Sequence, residues 1–171
     1  TFLLASSNTQ ASFHLWQINE AYSNASGTIQ FIEFTTTFNG QEFLLNHTLT
    51  SSDGVTTKTY TYPSNLAAGT ANRKFLMATS GFAALGIVTP DYIIPDNFMF
   101  TSGLMLNFSG FDIQSGLTLP TDGVLSLNRS GNMLTATATN SPTNYAGATG
   151  SIPSPAAMQA SANSGLSAWK P

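Results

Sequence analysis

Two glutamates, Glu20 and Glu33, come nearest to a chemically competent pair. They lie in neighbouring stretches, Phe13–Tyr22 and Thr28–Phe38, which their aromatic and β-branched content predicts as strands joined by a polar turn. If the strands form a hairpin, the carboxylates can approach each other, as an acid/base or nucleophile pair would. In the alternative interpretation, each carboxylate accepts hydrogen bonds from loop N–H groups and fixes one end of a β-sandwich. We favour this structural role and predict no catalytic residue.

Other chemical sites have less support. His14 and His47 lack the H-x-H or H-x-x-x-H spacing of a metal site, and we predict that both are exposed strand residues. Four aspartates could bind calcium, but they form no D-x-D-x-D-G series and Asp beside Gly or Pro is ordinary turn chemistry: Asp91, Asp96, Asp112 and Asp122. There is no cysteine and no G-x-S-x-G elbow. The sequence therefore predicts no metal, no cofactor and no enzyme.

Composition restricts the partners. Only 8% of the residues are charged, against about 25% in an ordinary soluble protein, and there are five Lys and Arg in all. Such a surface cannot neutralise a phosphate backbone, so we expect no nucleic-acid partner. No apolar run approaches the roughly 20 residues that span a bilayer. A cysteine-free chain rich in Ser, Thr and Asn is typical of bacterial exported proteins, which predicts an extracellular or cell-surface location.

Short strands at intervals of 8–12 residues predict an all-β fold, a sandwich or barrel of about nine strands, over residues 13–139. Asn39-Gly40 is a strong hairpin signal and predicts that Gln41–Thr50 returns beside the preceding strand. Asp53-Gly54 is predicted to close that strand, so that two successive hairpins make a meander, and Phe98–Phe100 is predicted as a later strand. Lys74–Thr79 is nearly all apolar and should be buried on both faces. The glycine-bracketed stretch Gly81–Gly86 is predicted to form one helical turn.

Two motifs carry a family resemblance. Ile18-Asn19-Glu20, followed after a turn by Phe31-Ile32-Glu33-Phe34, resembles the opening strands of lamin-tail-like domains, and Phe75–Thr79 is similar to their apolar middle strand. The resemblance covers roughly residues 13–128 and implies an immunoglobulin-like antiparallel β-sandwich that acts as an interaction module without catalytic residues. The chain lacks the Asn-Pro-rich turn and Gly-Trp pair that many members place after the second strand.

Two extensions flank the predicted domain. Residues 1–12 contain Phe2-Leu3-Leu4 and form either a strand-donating arm or the remnant of an export signal, since the chain starts at Thr rather than Met. Residues 140–171 are rich in Ala, Ser, Gly and Pro, and include Trp169. They form either a flexible tail or an arm that orders against its own domain or a neighbour.

These features predict a structural protein that associates with copies of itself. Low charge leaves little repulsion between copies, and an apolar arm can add a strand to a neighbour's open sheet edge and build filaments. The alternative is a secreted glycan-binding module. For that function Tyr60 and Tyr62 would form an exposed aromatic stripe on the same strand face as Lys58, whereas Trp16 is predicted to lie in the core.

Overall fold

A computed structural model describes residues 12–167, except for the side chains of residues 162 and 164–167 near the C-terminal end. This part of the chain contains ten strands in two sheets and two short helices, which confirms the predicted all-β architecture. The elements are β1 (Gln17–Ser23), β2 (Gln30–Thr36), β3 (Thr48–Ser52), β4 (Thr57–Thr61), β5 (Arg73–Thr79), α1 (Ser80–Ala83), β6 (Tyr92–Ile94), β7 (Leu104–Phe108), β8 (Asp112–Leu117), β9 (Leu125–Ser130), β10 (Met133–Thr139) and α2 (Pro155–Ser167).

The larger sheet has the order β10-β9-β1-β2-β5-β6, and the smaller has the order β4-β3-β7-β8. Every pairing is antiparallel except that of β6 with β5, which is parallel. Aromatic side chains from both sheets fill the space between them: Phe34 and Phe75 stack at 4.5 Å between ring centroids, and Phe108 packs beside Phe34 at 5.1 Å. Trp16 is 1% exposed in this core, as predicted.

The larger sheet is also covered on its outer face. Side chains alternate along β2 and β5, so that Phe34 and Phe75 point into the sandwich while Phe31 and Leu76 pack with Phe82 of α1 in a second apolar cluster. Because the larger sheet is buried on both faces here, strands β2 and β5 have no solvent-exposed polar face. The structure confirms the predictions for Lys74–Thr79 and for the helical turn after it.

The prediction of a hairpin at Asn39-Gly40 is wrong. β2 pairs with β5 instead, and the chain crosses to the smaller sheet before β3 begins at Thr48. Long-range contacts override the local turn signal: Gln41 N–H donates to Thr70 Oγ1 at 3.0 Å, and the indole of Trp16 donates to the Gln41 carbonyl at 2.8 Å. The predicted meander is therefore absent from the described residues. Asp53-Gly54, by contrast, does join β3 to β4.

Two further differences concern the second half of the domain. Phe98–Phe100, predicted as a strand, is a buried connection in which Met99 N–H donates to Gln30 Oε1 at 2.9 Å. β8 was not predicted, because Gly116 and the polar residues of Asp112–Leu117 interrupt the apolar alternation. Neither helix in the described part of the chain is long and apolar enough to cross a membrane.

Candidate functional site

Glu20 and Glu33 face each other across β1 and β2, as the hairpin interpretation required. The Glu20 carboxylate is 0% exposed. Its Oε1 accepts hydrogen bonds from Ser126 Oγ at 2.7 Å and from Ser141 N at 2.8 Å, and its Oε2 accepts one from Ser141 Oγ at 3.0 Å. Both oxygens therefore bind the protein itself, and neither is open to a substrate.

Glu33 is equally buried and equally occupied. Its Oε1 accepts from Asn19 Nδ2 at 2.7 Å and pairs with Lys74 Nζ at 2.8 Å, and its Oε2 accepts from Thr143 N at 2.9 Å. Burial raises the pKa of Glu33, although Lys74 and Asn19 oppose the shift. Both glutamates thus accept hydrogen bonds from N–H groups of the same loop, which is the arrangement that the structural interpretation expects.

A third carboxylate extends this pattern. Asp91 Oδ2 accepts from Leu76 N at 2.8 Å and from Tyr145 N at 2.9 Å. The N–H groups of residues 141, 143 and 145 thus each bind a separate carboxylate on the outer face of the larger sheet. We call residues 140–152 the clamped segment. Of the alternatives left open for the C-terminal extension, these residues show ordering against their own domain.

Asn140 closes the clamped segment at both ends. Its side chain is almost completely buried, accepts from Ile152 N at 2.6 Å and donates to the Val124 carbonyl at 2.8 Å. Ile152 is 3% exposed and joins the outer apolar cluster. Beyond it, the described side chains of α2 are all exposed and uncharged. Trp169 lies outside the described residues.

The prediction of an exposed tyrosine stripe is wrong. Lys58, Tyr60 and Tyr62 do share one face of their strand, but that face turns toward the core while the threonines between them are exposed. Tyr62 is 0% exposed, packs edge-on to Phe75 and Tyr92, and donates its hydroxyl to Met77 Sδ at 3.1 Å. A sugar ring cannot stack on it without unfolding the site.

The histidines do not lie on strands, contrary to the prediction. His14 is exposed near the N-terminal edge and contacts Ser12 Oγ through Nδ1 at 3.0 Å, and His47 is half-buried and stacks on Phe13. Within residues 12–167, no group of three or more His, Asp or Glu side chains could hold a metal ion.

The loop aspartates bind backbone N–H groups or an arginine. Asp122 Oδ1 accepts from Val124 N and Leu125 N, both at 2.8 Å. Asp112 pairs with Arg129 and accepts from Ile18 N at 2.6 Å. These contacts match ordinary turn and sheet-end chemistry.

One edge strand of the larger sheet carries neither a charge nor a proline. Strands β10 and β6 flank the larger sheet and β4 and β8 flank the smaller one; of these four described edges, β6 has three residues, β4 contains Lys58 and β8 contains Asp112. β10 has seven residues, MLTATAT, with no charge and no proline, and all of its side chains except Leu134 are exposed. Edge strands usually carry charges, prolines or bulges that prevent pairing with another chain. β10 has a register shift between Leu134 and Ala136, and its Leu134 N–H already donates to Gln114 Oε1 at 2.8 Å, so residues 136–139 form the open part of this edge. Sequence reasoning anticipated an open edge but could not identify which strand forms it.

Exposed aromatic residues surround the point where the described chain begins. Phe38 and Phe111 are 54% and 56% exposed and, with His14, line a groove of about 290 Å³. The Ser12 carbonyl accepts from Phe43 N at 3.3 Å, which places the root of the N-terminal extension close to the same surface. Phe2, Leu3 and Leu4 themselves lie outside the described residues.

No protein-family model, no curated protein and no solved structure matches this chain. The resemblance to lamin-tail-like domains accordingly stays a prediction based on two short motifs.

Proposed function

We propose that the chain is a non-enzymatic extracellular structural protein that assembles with copies of itself. In this proposal the N-terminal segment containing Phe2-Leu3-Leu4 of one copy adds a strand to the outer edge of β10 in the next copy. The observation that supports it best is the length, exposure and neutrality of β10. The two glutamates considered for catalysis instead accept hydrogen bonds from the clamped segment.

The acceptor edge suits strand addition. An added strand gains main-chain hydrogen bonds along the edge, and its alternate side chains supply the fit. The exposed side chains of residues 135–139 are Thr and Ala only, so large side chains from an incoming strand meet small neighbours. No charge on β10 has to be desolvated when the strand docks.

The donor segment has sufficient reach. Leu4 and Ser12 are eight positions apart, and an extended chain covers about 3.3 Å per position, or roughly 26 Å. A domain of about 150 residues has a radius of gyration near 15 Å. The apolar residues can therefore extend beyond their own domain to a second copy. Addition of this kind is head-to-tail, and it builds a filament when the rotation between copies does not close a ring.

Two variants separate the donor from the acceptor. Removal of residues 1–11 deletes the donor, and Thr137→Lys places a charge on the acceptor edge. Thr59→Lys, on the exposed side of edge strand β4, is the matched control. Light scattering and electron microscopy should show filaments for the unmodified chain and for Thr59→Lys, and monomers for the other two, with unchanged circular dichroism throughout.

Mixing the variants gives the sharpest result. The truncated chain keeps a functional acceptor edge, while Thr137→Lys keeps a functional arm. Together they should form a 1:1 complex that does not grow further. Assembly of the truncated chain at the wild-type level would refute the proposal, and so would growth of the mixture into filaments.

The compartment and family belong to the same proposal. We propose that the chain is exported by a bacterium and that the sandwich is an immunoglobulin-like domain related to the lamin-tail-like family. Pairing of β1 with β2 supports this, because it places Ile18-Asn19-Glu20 and Phe31-Ile32-Glu33-Phe34, the stretches that resemble the opening strands of the family, in one hairpin. An experimental structure provides the test: the strand order and connections must match those of a lamin-tail domain, and a different topology would remove the relationship.

A further inference from the structure

A second cavity lies between the larger sheet and the clamped segment. Its volume is about 510 Å³, larger than the groove at Phe38. Its lining combines hydroxyl, amide and cationic groups with a similar amount of apolar surface, and none of the residues used by the assembly proposal takes part. The lining consists of Thr35, Thr36, Thr37, Ala71, Asn72, Arg73, Lys74, Thr143, Asn144, Tyr145 and Gly147.

The guanidinium of Arg73 is held in place at this cavity. Its Nε donates to the Gly69 carbonyl at 3.2 Å and its Nη1 donates to the Tyr145 carbonyl at 3.0 Å. The guanidinium carbon lies 5.1 Å from the centroid of the Tyr145 ring. These contacts hold the planar group through Nε and Nη1, and within residues 12–167 its Nη2 has no hydrogen-bond partner. A fixed guanidinium loses less conformational entropy when it binds an anion than a free one does.

The charge of Arg73 is not neutralised by any described carboxylate. The two ion pairs of residues 12–167 are Lys74 with Glu33 and Arg129 with Asp112. Lys74 therefore lines the same cavity with its charge already compensated. Glu33 and Asp91, the acidic residues behind the clamped segment, are occupied by the N–H groups of residues 143 and 145. An exposed cation remains at the mouth of a polar cavity.

We propose that this cavity binds an acidic saccharide, with the carboxylate of a hexuronic acid paired to Arg73. A guanidinium presents parallel N–H donors that match the two oxygens of a carboxylate. The exposed Thr37 hydroxyl and Asn72 amide flank it and can bind sugar hydroxyls. Because Arg73 is the one uncompensated cation among the described residues that line this cavity, a single carboxylate fits the site better than a dianionic phosphate does. This inference does not depend on self-assembly.

Isothermal titration of the full chain with a short oligogalacturonate tests the proposal, with a maltooligosaccharide of equal length and inorganic phosphate as comparison ligands. The matched control for Arg73→Gln is Lys58→Gln, because Lys58 is also a cation over an aromatic ring, 4.1 Å from the Phe100 centroid, and is absent from the cavity lining. We expect Arg73→Gln to weaken oligogalacturonate binding at least tenfold and Lys58→Gln to leave it unchanged.

Arg73→Lys tests whether a loss of binding reflects misfolding, because lysine keeps the positive charge but lacks the paired N–H donors of the guanidinium. We expect Arg73→Lys to weaken oligogalacturonate binding several-fold with unchanged circular dichroism, and Thr37→Val to weaken it by a similar factor. The proposal is overturned if oligogalacturonate does not bind, if maltooligosaccharide or phosphate binds as tightly, or if both Gln variants weaken binding equally.

Discussion

The carboxylate clamp predicts different responses to the same substitution at two adjacent sites. Glu20→Gln and Glu33→Gln each remove one charge from a fully buried side chain. The desolvation that a buried charge costs is therefore relieved in both variants and largely cancels when they are compared. What differs is the chemistry of the hydrogen-bond partners.

The partner of Glu20 Oε2 is the Ser141 hydroxyl, which can accept as well as donate. A glutamine can therefore place its NH2 group there, and its oxygen can keep accepting from Ser126 Oγ and Ser141 N. Both oxygens of Glu33 face nitrogen donors instead: Asn19 and Lys74 on one, and the Thr143 N–H on the other. Glutamine at position 33 must direct its NH2 group at one of these donors.

A buried donor without a partner costs about 1–3 kcal/mol, and the half-exposed pair with Lys74 adds about 1 kcal/mol or less. We expect Glu20→Gln to lower the free energy of unfolding by less than about 1 kcal/mol. Glu33→Gln should lower it by about 1–3 kcal/mol more than Glu20→Gln does. For a chain of this size each kcal/mol corresponds to about 2–4 °C in Tm.

Urea unfolding followed by tryptophan fluorescence measures the difference. In a Trp169→Phe background Trp16 is the sole tryptophan, and its burial makes it a reporter of the core. The dependence of the unfolding free energy on urea should have the same slope in all variants, so that the midpoints are comparable. Equal destabilisation by the two substitutions, or a larger effect at Glu20, would show that the donor geometry at the clamp does not control stability.

Three further outcomes follow from buried groups. Burial raises the pKa of Asp91 in the folded state above its ordinary 3.8. The contribution of Asp91 to the free energy of unfolding is therefore complete below pH 3.8 and is lost as the pH rises through the folded-state pKa. In urea unfolding, the stability advantage of wild type over Asp91→Asn should accordingly shrink from pH 4 to pH 7. Gly27 and Gly40 both have positive φ, so the backbone strain of an alanine is similar at the two positions, but only at Gly27 would a Cβ lie 2.0 Å from Asn97 Oδ1. Thermal unfolding should therefore show that Gly27→Ala lowers the free energy of unfolding by about 1–3 kcal/mol more than Gly40→Ala does. Tyr62→Ala should cost about 3–5 kcal/mol and Tyr62→Phe about 0.5–1.5 kcal/mol in urea unfolding, since the ring is core and the hydroxyl contacts only a thioether.

Local signals in the sequence predicted local structure well. Asp53 forms its turn with its own neighbours, since Oδ1 accepts from Val55 N and Thr56 N at 2.9 and 2.7 Å. Asn39 has the same kind of turn residues, but its Oδ1 accepts from Thr70 N, 31 positions away. A dipeptide preference cannot reveal which distant residue will compete for the backbone, and here the distant partner determined the strand order.

The candidate functional site could be predicted only in part from the sequence, for a related reason. Alternation in β4 correctly grouped Tyr60 with Tyr62, but tyrosine suits both core and surface and so did not indicate which face is inward. The clamped segment had no periodic apolar signal, because its order comes from carboxylates on Glu20, Glu33 and Asp91. Those partners lie 121, 110 and 54 positions away from the N–H groups they bind.

Salt distinguishes the two proposals. Strand addition at β10 would use main-chain hydrogen bonds and apolar contacts, and the edge has no charge to screen. The cavity at Arg73 would bind through an exposed cation, whose attraction is largely screened when the Debye length falls from about 10 Å at 0.1 M salt toward about 3 Å at 1 M. We expect 0.5 M NaCl to leave assembly intact by light scattering and to weaken oligogalacturonate binding several-fold. Salt-sensitive assembly would point instead to ionic contacts between copies, which β10 cannot provide.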